Sequence, residues 1–228
     1  MSYADEWLAH RPVDVRTREL YDLLRLHIKP PLGRMPLGSI TPTEVQRWHS
    51  GRLEATGKTR VRQAYGLLRS ILGTTVKDGL LVKNPCQITG AGTTKNPERP
   101  YMRLEDVQAL RDALPPHMTS PCMVTALLHL RLGELLGLRR EDVDLEAGVL
   151  HVQRAITRTK AGPLVKATKT GHARTLVLPP EALKALREHL AATSALPAAP
   201  VFFHPNGRPL TREHLRSAWD ASRVTAAC

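Results

Sequence analysis

The chain has 228 residues, 42% of them hydrophobic and 24% charged, which excludes a protein that is disordered along its whole length. Its 33 Lys and Arg outnumber its 21 Asp and Glu, and the net charge of +12 favours a polyanionic partner. The three cysteines are far apart, which disfavours a zinc site or a disulfide framework, and no apolar run approaches the roughly 20 residues that span a bilayer. We therefore expect a cytoplasmic protein that binds no metal and no membrane.

The first part of the sequence predicts helices only. One helix is expected from Arg16 to Ile28 and should end before Pro30, because proline cannot continue it. Another is predicted at "SITPTEVQRWHSGRLEA", where Thr41 is a suitable N-cap, Pro42 takes the first helical position and a glutamate completes a capping box. A bundle of four short helices would account for residues 1–84.

The next helix has the clearest periodicity. Apolar residues recur at three- and four-residue intervals in "TRVRQAYGLLRSILGTTVKDGLL", and Thr59 is a suitable N-cap. The other faces of this helix carry basic residues, among them Arg60 and Arg62 near its start. Over residues 85–100 the periodicity gives way to Pro, Gly, Thr and Asn, which predicts a linker between two domains.

The second predicted domain, residues 101–228, opens with helical patterns at "LEDVQALRDAL" and "SPCMVTALLHL". The stretch "LLHLRLGELLGLRREDVDL" continues the pattern, since Leu128, Leu132 and Leu135 recur on one side of a helix. Arg131 projects from that same side, where an unpaired charge is costly. Either its stem covers the leucines while its head reaches water, or it has a partner outside the helix.

Beyond residue 148 the pattern changes to strands. "GVLHVQRAI", "GPLVKAT" and "RTLVLP" are typical of strands, and "KTGHA" with Gly171 suits a hairpin turn between the last two. "PPEALKALREHLAA" predicts a helix that begins with proline, and "TREHLRSAWDASRV" predicts another, capped by Thr211. The expected fold is mainly α-helical with a small antiparallel sheet of three strands, which makes the second domain α+β.

The order of these motifs resembles that of a known family. "RLGELLGLRREDVDLEAGVLHV", "KTGHARTLVLP", "PEALKALREHL", "VFFHPNGRPLT" and "LRSAW" are similar to the catalytic domain of the tyrosine recombinases, the phage integrase family of site-specific integrases. "YADEWLAHRP", "HIKPPLGRMPLGSITPTEVQRW" and "LLRSILGTTVKDGLLVKNP" are similar to that family's SAM-like core-binding domain. The resemblance implies a DNA-binding domain at residues 1–84 and a partial catalytic domain at residues 101–228.

The resemblance also implies a chemistry. In this family a tyrosine hydroxyl attacks a DNA phosphate, and the strand is held as a 3′-phosphotyrosine until another 5′ hydroxyl displaces it, without a nucleotide cofactor. Arg131 matches the arginine of the family's "LRxGEL" motif, whose guanidinium donates hydrogen bonds to the phosphate oxygens as charge develops on them. Glu134 is expected to hold that side chain or to cap the helix, and Asp144 to tie the helix end to the sheet.

A second catalytic candidate follows from the same resemblance. Lys169 in "TKTGHART" matches a lysine that enters the minor groove and protonates the leaving 5′ oxygen, and Lys166 takes that role if the register shifts. The alternative for Lys169 is an exposed turn lysine that improves solubility. DNA-backbone contacts are expected from residues whose alternative is ordinary surface charge: Arg60, Arg62, Arg154, Arg158, Lys160, Lys166 and Arg174.

The family's other catalytic residues are a second arginine in an H-x-x-R motif, a further His or Trp, and the tyrosine, and the resemblance places them after the last predicted helix. All four tyrosines of this sequence precede Arg131. We therefore expect an integrase truncated before its nucleophile, which cleaves double-stranded DNA only if another recombinase protomer provides the tyrosine. No cofactor, metal or small-molecule substrate is expected.

Two alternatives belong to other functional classes. The first is a non-catalytic module that occupies double-stranded recombination half-sites. The second is a generic basic regulator or RNA-binding protein, which the aromatic content of only 4% disfavours, because RNA-binding modules commonly stack bases on aromatic side chains. Specific DNA binding without cleavage would favour the first alternative.

Overall fold

The computed structural model describes residues 3–93, 103–168, 173–193 and 196–226. The chain divides into two compact units, residues 1–98 and 99–228. The described residues form nine α-helices, two 3-10 turns and two small antiparallel sheets, which confirms the predicted class of a mainly helical fold with a little sheet. None of these helices is long and apolar enough to cross a membrane.

The first unit is built around its longest helix, α4, which packs against α2 and α3. The predicted apolar face of α4 is buried, including Ala64, Leu68 and Ile71, because only that face can be removed from water by its neighbours. The helices of this unit are α1 (Tyr3–His10), α2 (Val15–Leu32), α3 (Pro42–Ala55) and α4 (Lys58–Lys77), with a 3-10 turn at Leu37–Ser39.

Helix α2 is longer than the sequence predicted. It runs through Pro30 and Pro31 to Leu32, so the expectation that it ends before the first proline is wrong. Pro31 has no N–H to donate to the carbonyl of His27, four residues earlier. The indole N–H of Trp48 donates to that carbonyl instead, at 2.9 Å, and this tertiary contact satisfies the group that the proline leaves open.

The starts of α3 and α4 differ in how they are capped. The Thr41 hydroxyl accepts a hydrogen bond from the Glu44 backbone N–H at 3.2 Å, which confirms the predicted N-cap of α3. Helix α4 begins at Lys58, one residue before the predicted cap Thr59, and its N-cap is Gly57. Glycine has no side chain to accept a hydrogen bond, so the first N–H groups of α4 lack a side-chain cap.

Part of the stretch predicted as a linker packs on the first unit. Cys86 is buried in its core, and the backbone N–H of Ile88 donates to the Tyr65 hydroxyl at 2.9 Å. The Asn84 side chain donates to the carbonyl of Arg69 at 3.0 Å and so anchors the start of this stretch to α4. The remainder of the predicted linker, residues 94–100, lies outside the described residues.

The second unit combines five helices with two small antiparallel sheets in the part of the chain that the structure describes. Its core is made mainly of leucines and valines drawn from several elements, among them two helices, α6 and α8, and the central strand β2. The helices are α5 (Leu104–Ala113), α6 (Pro116–Leu128), α7 (Leu132–Gly137), α8 (Pro180–Ala191) and α9 (Arg212–Thr225), and a 3-10 turn lies at Arg140–Asp142. The strands are β1 (Val143–Asp144), β2 (Val149–Val152), β3 (Arg154–Thr159), β4 (Gly162–Ala167) and β5 (Arg174–Val177).

The sheet topology differs from the single three-stranded sheet that was expected. The predicted strand "GVLHVQRAI" is interrupted at Gln153 into β2 and β3, which belong to different sheets. Strands β3 and β4 form a hairpin in which Thr159 pairs with Gly162, while β5 pairs with β2 and β2 with β1. The predicted pairing of the last two strands is therefore wrong, and the turn assigned to Gly171 lies outside the described residues.

The helical pattern before β1 is also interrupted. Helix α6 ends at Leu128, and His129 adopts a left-handed conformation with φ of 49°. This conformation ends a helix, and the next residue, Leu130, turns its N–H back to the Thr125 carbonyl at 3.3 Å. Arg131 is consequently the N-cap of the new helix α7, and the prediction that it projects from the leucine-lined side of one continuous helix is wrong.

Candidate functional site

Helix α7 is seated directly on strand β3 by two glycines. A Cβ added to Gly133 would lie 2.7 Å from the carbonyl oxygen of Ile156, and one added to Gly137 would lie 3.1 Å from that of Arg154. Only residues without a side chain permit this approach between two backbones. The glycines therefore fix the position of α7, and with it the two functional candidates at its start, Arg131 and Glu134.

Glu134 joins two arginines that are distant in the sequence. Its Oε1 accepts hydrogen bonds from Nη1 of Arg131 and Nη1 of Arg174, both at 2.9 Å. Its Oε2 accepts from the backbone N–H of Arg131 at 3.0 Å and from Nη2 of Arg174 at 2.7 Å. Both contacts that the sequence predicted for Glu134, to the Arg131 side chain and to the helix start, are present. The contact with Arg174 was not anticipated.

The electrostatics of this cluster keep Glu134 charged. Its side chain is 2% exposed, and the hydrogen bonds from Arg174 are the largest cause that lowers its pKa, to about 2. Burial opposes this shift, and the two contacts from Arg131 add to it. The pKa of Arg174 is raised, mainly by its bonds to the carboxylate. Two guanidinium groups and one carboxylate leave a net charge of +1.

We call Glu134, Arg131 and Arg174 the Glu134 cluster. Its two arginines differ in how far their side chains are exposed to solvent. The Arg131 side chain is 56% exposed and meets Glu134 through one guanidinium nitrogen, whereas that of Arg174 is 34% exposed and uses two. A guanidinium has five N–H donors in a planar fork that suits the oxygens of a phosphate. The Arg131 guanidinium is therefore held through one nitrogen, and the rest of the group is open to an anion from solvent.

The other predicted acid, Asp144, has a local role. Its Oδ1 accepts from the backbone N–H groups of Glu146 and Ala147, at 3.0 and 2.8 Å, in the turn between β1 and β2. The link between the helix end and the sheet that was expected of Asp144 is made by Asp142 instead. Asp142 accepts from the Arg139 backbone N–H at 2.8 Å and from Nη1 of Arg154 at 2.5 Å.

Sequence reasoning missed Asp142, although a signal was present. An acid three residues after an arginine occurs both at Arg131 and Glu134 and at Arg139 and Asp142, and in each case the acid binds the arginine's backbone N–H. A side-chain carboxylate that accepts the N-cap backbone N–H in this way is one half of a capping box and is typical of a helix start. Arg154, predicted as a DNA-backbone contact, is only 16% exposed and is engaged with Asp142, so its side chain does not project into solvent.

The remaining basic candidates of the second unit lie mainly on the β3–β4 hairpin. Arg158 is 72% exposed and pairs with Glu213 at 2.7 Å, Lys160 is exposed in the turn, and Lys166 is half-buried on β4. Lys160 and Lys166 each have a further interaction partner. With Arg154 at the start of β3, the hairpin carries four of the predicted cations, and the catalytic candidate Lys169 lies outside the described residues.

The first unit has its own cluster of basic residues. Arg60 lies in the first turn of α4, close enough to His27 that it lowers the histidine's pKa, after burial and Arg52. Arg62 is half-buried, and its Nε is buried without a hydrogen-bond partner among the described residues. Both predicted arginines are thus at the uncapped start of α4, where backbone N–H groups also favour anions.

A third group of titratable side chains was not predicted. The rings of His117 and His204 lie 5.5 Å apart, and those of His204 and His214 stack at 4.2 Å. Burial lowers the pKa of His117, and the other two imidazoles lower it further. Across residues 3–93, 103–168, 173–193 and 196–226, no group of three or more His, Cys, Asp or Glu side chains could hold a metal ion.

Comparison with known proteins places the chain in a family. Residues 100–227 match the Phage integrase family. The chain is 35% identical over 192 residues to the prophage phiRv2 integrase of Mycobacterium tuberculosis, an alignment that covers 82% of this chain and 51% of that one. It is 30% identical over 202 residues to the integrase of Mycobacterium phage FRAT1, covering 87% and 60%. The chain thus spans about half the length of the curated relatives it matches.

Solved structures show the same fold. A Tn1549 transposon integrase in complex with circular intermediate DNA superimposes with a TM-score of 0.82 at 17% identity, over 99% of this chain and 77% of that one. A lambda integrase dimer bound to a core site gives 0.74 at 17% identity, over 99% and 63%. The family match extends over more than half of the sequence and includes the Glu134 cluster. The chain belongs to the phage integrase family of tyrosine recombinases.

Proposed function

We propose that this chain is part of a site-specific integrase that breaks and rejoins double-stranded DNA, and that Arg131 binds the phosphate at which the strand is cut. The observation that carries the proposal is the half-exposed guanidinium of Arg131, which the buried carboxylate of Glu134 holds through one terminal nitrogen, Nη1. Family membership and the net charge of +12 support a DNA partner. A cytoplasmic location follows from that partner.

The chemistry needs a fixed positive group. As an oxygen nucleophile attacks a phosphodiester, negative charge grows on the non-bridging oxygens, and donors that are already oriented stabilise that charge without reorganisation. The Glu134 cluster meets this requirement, because the carboxylate and the backbone of α7 restrict Arg131 before any DNA binds. Lys169, with Lys166 as the alternative, remains our candidate for protonating the leaving 5′ oxygen.

The nucleophile must come from outside the described tyrosines. Tyr65 is fully buried and accepts a hydrogen bond from the backbone N–H of Ile88. Burial, and after it the hydrogen bond that Tyr3 donates to Asp78, raises the pKa of Tyr3 to about 12. Every tyrosine of the sequence precedes Arg131, whereas the family's nucleophile follows it. In our proposal another recombinase protomer provides the tyrosine for cleavage.

A second candidate function follows from the same observation. The chain occupies recombination half-sites as a double-stranded DNA-binding module without cutting them, and the burial of Tyr65 and the pairing of Tyr3 favour this reading for the chain acting alone. The two functions share the DNA contacts and differ only in the covalent step, so a single preparation can distinguish them.

The test is DNA binding by the purified chain, titrated against salt on duplexes taken from the flanks of its own gene and on random duplexes. Phosphate contacts predict an affinity that falls steeply with salt, and Arg131→Ala should reduce the salt slope by about one. Arg216→Ala is the matched control, since Arg216 is 76% exposed on α9 and pairs with Asp220 at 3.5 Å. A duplex with a nicked strand, incubated with and without an added integrase that has its tyrosine, reports the covalent adduct.

The outcomes separate the candidates. Preferred binding of one flank, weakened by Arg131→Ala but not by the control, supports a DNA-binding recombinase segment. An adduct that forms with the chain and the added integrase together, and with neither alone, supports cleavage in trans. Preferred binding that never gives an adduct supports the half-site module. Equal binding of all polyanions, with Arg131→Ala indistinguishable from Arg216→Ala, contradicts both.

A further inference from the structure

We infer that Arg174 is a positioning residue for Arg131: it occupies the Glu134 carboxylate and so leaves the Arg131 guanidinium available to a phosphate. The effect on DNA rests on the proposed function, whereas the competition between the two arginines is a property of the chain alone. The inference also reassigns Arg174, which the sequence predicted as a direct contact to the DNA backbone.

The Glu134 carboxylate accepts as many hydrogen bonds as its two oxygens allow. Oε1 and Oε2 of Glu134 each accept two hydrogen bonds, one from Arg131 and one from Arg174. An ionised carboxylate has about four lone-pair positions, so no position remains for a second side-chain N–H of Arg131. Arg131 is therefore limited to a single contact through its guanidinium, while Arg174 forms two parallel bonds.

Arg174 is poorly placed to bind DNA itself. Both of its terminal nitrogens are directed to Glu134, and its side chain is 34% exposed, against 56% for Arg131. It is the first residue of β5, where it pairs with Val152 of β2, so the strand ladder fixes the point from which the side chain extends. Its contacts therefore link the sheet to the start of α7.

Removal of the Arg174 side chain should change how Arg131 binds Glu134. The Glu134 residue is 1% exposed, so the loss of two charged hydrogen bonds is costly unless another donor takes their place. Arg131 already touches the carboxylate, and its remaining N–H groups are the donors closest at hand. A fork-to-fork pair between Arg131 and Glu134 would then form, which neutralises the cluster and withdraws Arg131 from a phosphate.

The direct test needs no DNA. Nitrogen-15 NMR of the arginine side chains in the whole chain follows the Arg131 Nε–H signal, which we assign from its loss in Arg131→Lys. In Arg174→Ala this signal should shift, and rotation about the Cζ–Nε bond should slow, because Arg131 becomes doubly bonded. Arg174→Lys, which restores the charge but not the fork, should show a smaller change of the same kind. Arg216→Ala should leave the Arg131 signal unchanged.

A double variant shows whether the effect passes through Glu134. In the Glu134→Gln background, Arg174→Ala should no longer alter the Arg131 signal, since the carboxylate charge that attracts Arg131 is gone. If Arg174→Ala does not fold by circular dichroism, Arg174→Lys with and without Glu134→Gln carries the same comparison. An Arg131 signal that is identical in wild type and in a folded Arg174 variant overturns the inference.

DNA binding then separates this inference from the proposed function. On the preferred flanking duplex, Arg174→Ala should weaken binding about tenfold, close to the effect of Arg131→Ala, and less than about twofold in the Glu134→Gln background. A direct phosphate contact by Arg174 predicts that Lys restores binding and that the loss persists with Glu134→Gln, which contradicts positioning. Failure of the proposed function looks different: no variant prefers a duplex, while the change in the Arg131 signal remains.

Discussion

The second unit contains two clusters of arginines around an acid that start from the same local pattern. Glu134 accepts the backbone N–H of Arg131 at 3.0 Å, and Asp142 accepts that of Arg139 at 2.8 Å. Each acid lies three residues after its arginine, each is buried, and each also binds an arginine from a strand. The short sequence pattern alone therefore does not distinguish the two clusters.

They differ in where the first arginine directs its side chain. Arg131 bonds the same carboxylate through its guanidinium, whereas Arg139 turns towards Glu141 at 3.5 Å. The strand arginines differ as well, since Arg154 is 16% exposed and Arg174 is 34% exposed. One cluster connects the chain internally, and the other holds a guanidinium at the surface. A buried acid thus either links parts of the fold or holds a guanidinium at the surface, according to how many N–H groups donate to it.

The largest expected difference in stability between the two clusters is at their strand arginines, Arg154 and Arg174. Asp142 is fully buried, and its Oδ1 has no hydrogen-bond partner among the described residues, so Arg154→Met should leave an uncompensated charge and lower the free energy of unfolding by about 3–5 kcal/mol. Arg174→Met should cost less, because Glu134 keeps Arg131. Urea unfolding measures both, and equal losses would contradict the distinction between the clusters.

Acid should affect the Glu134 cluster in a defined pH window. The pKa of Glu134 in the folded chain is about 2, below its ordinary value of 4.5, so the stabilisation is complete above about pH 4.5 and is lost as the pH falls towards 2. The difference in unfolding free energy between wild type and Glu134→Gln should therefore shrink by on the order of 3 kcal/mol across that window. A difference that is constant with pH would show that the contacts with Arg131 and Arg174 do not hold the carboxylate charged.

A smaller change can displace one cluster and spare the other. Gly133→Ala places a methyl group 2.7 Å from the backbone oxygen of Ile156, which cannot move as a flexible side chain would, and should cost about 1–3 kcal/mol in thermal unfolding. Gly51→Ala in α3 is the control, because nothing lies within 4 Å of its added Cβ, and it should stabilise by up to about 1 kcal/mol. Gly133→Ala should also weaken DNA binding, since it shifts the helix that carries Glu134. An unchanged Tm for Gly133→Ala would contradict the close seating of α7 on β3.

Local signals in the sequence predicted many of the elements well. Thr41 and Thr211 cap their helices as expected, and Pro180 begins α8, because caps and helix-starting prolines act within a few residues. Glu134 was predicted to hold the Arg131 side chain or to cap the helix, because residues three apart in a helix lie close together, and its contact with Arg131 is present. The family resemblance added the functional reading of Arg131, which spacing alone did not provide.

Features that depend on distant parts of the chain were not predictable in this way. The left-handed His129 and the interruption at Gln153 have no glycine or proline to mark them, so the helical and strand patterns read as continuous. The extension of α2 past its prolines depends on Trp48, which is 21 residues from the carbonyl it satisfies. In α2, therefore, a tertiary contact outweighed a local preference.

The sequence by itself determined the charge of the chain and indicated a helical first region followed by a region of helices and strands. It also indicated most helix starts and the candidate pair Arg131 and Glu134. These features depend on composition and on contacts within one helical turn. Only the tertiary structure decided that Arg174, 40 residues beyond Glu134, shares its carboxylate, and that Arg154 is buried against Asp142. The pairing of β5 with β2 sets the first contact, and the seating of α7 on β3 sets the position of Glu134. Backbone hydrogen bonding between strands that are far apart in sequence thus determines which arginine is held and which is presented.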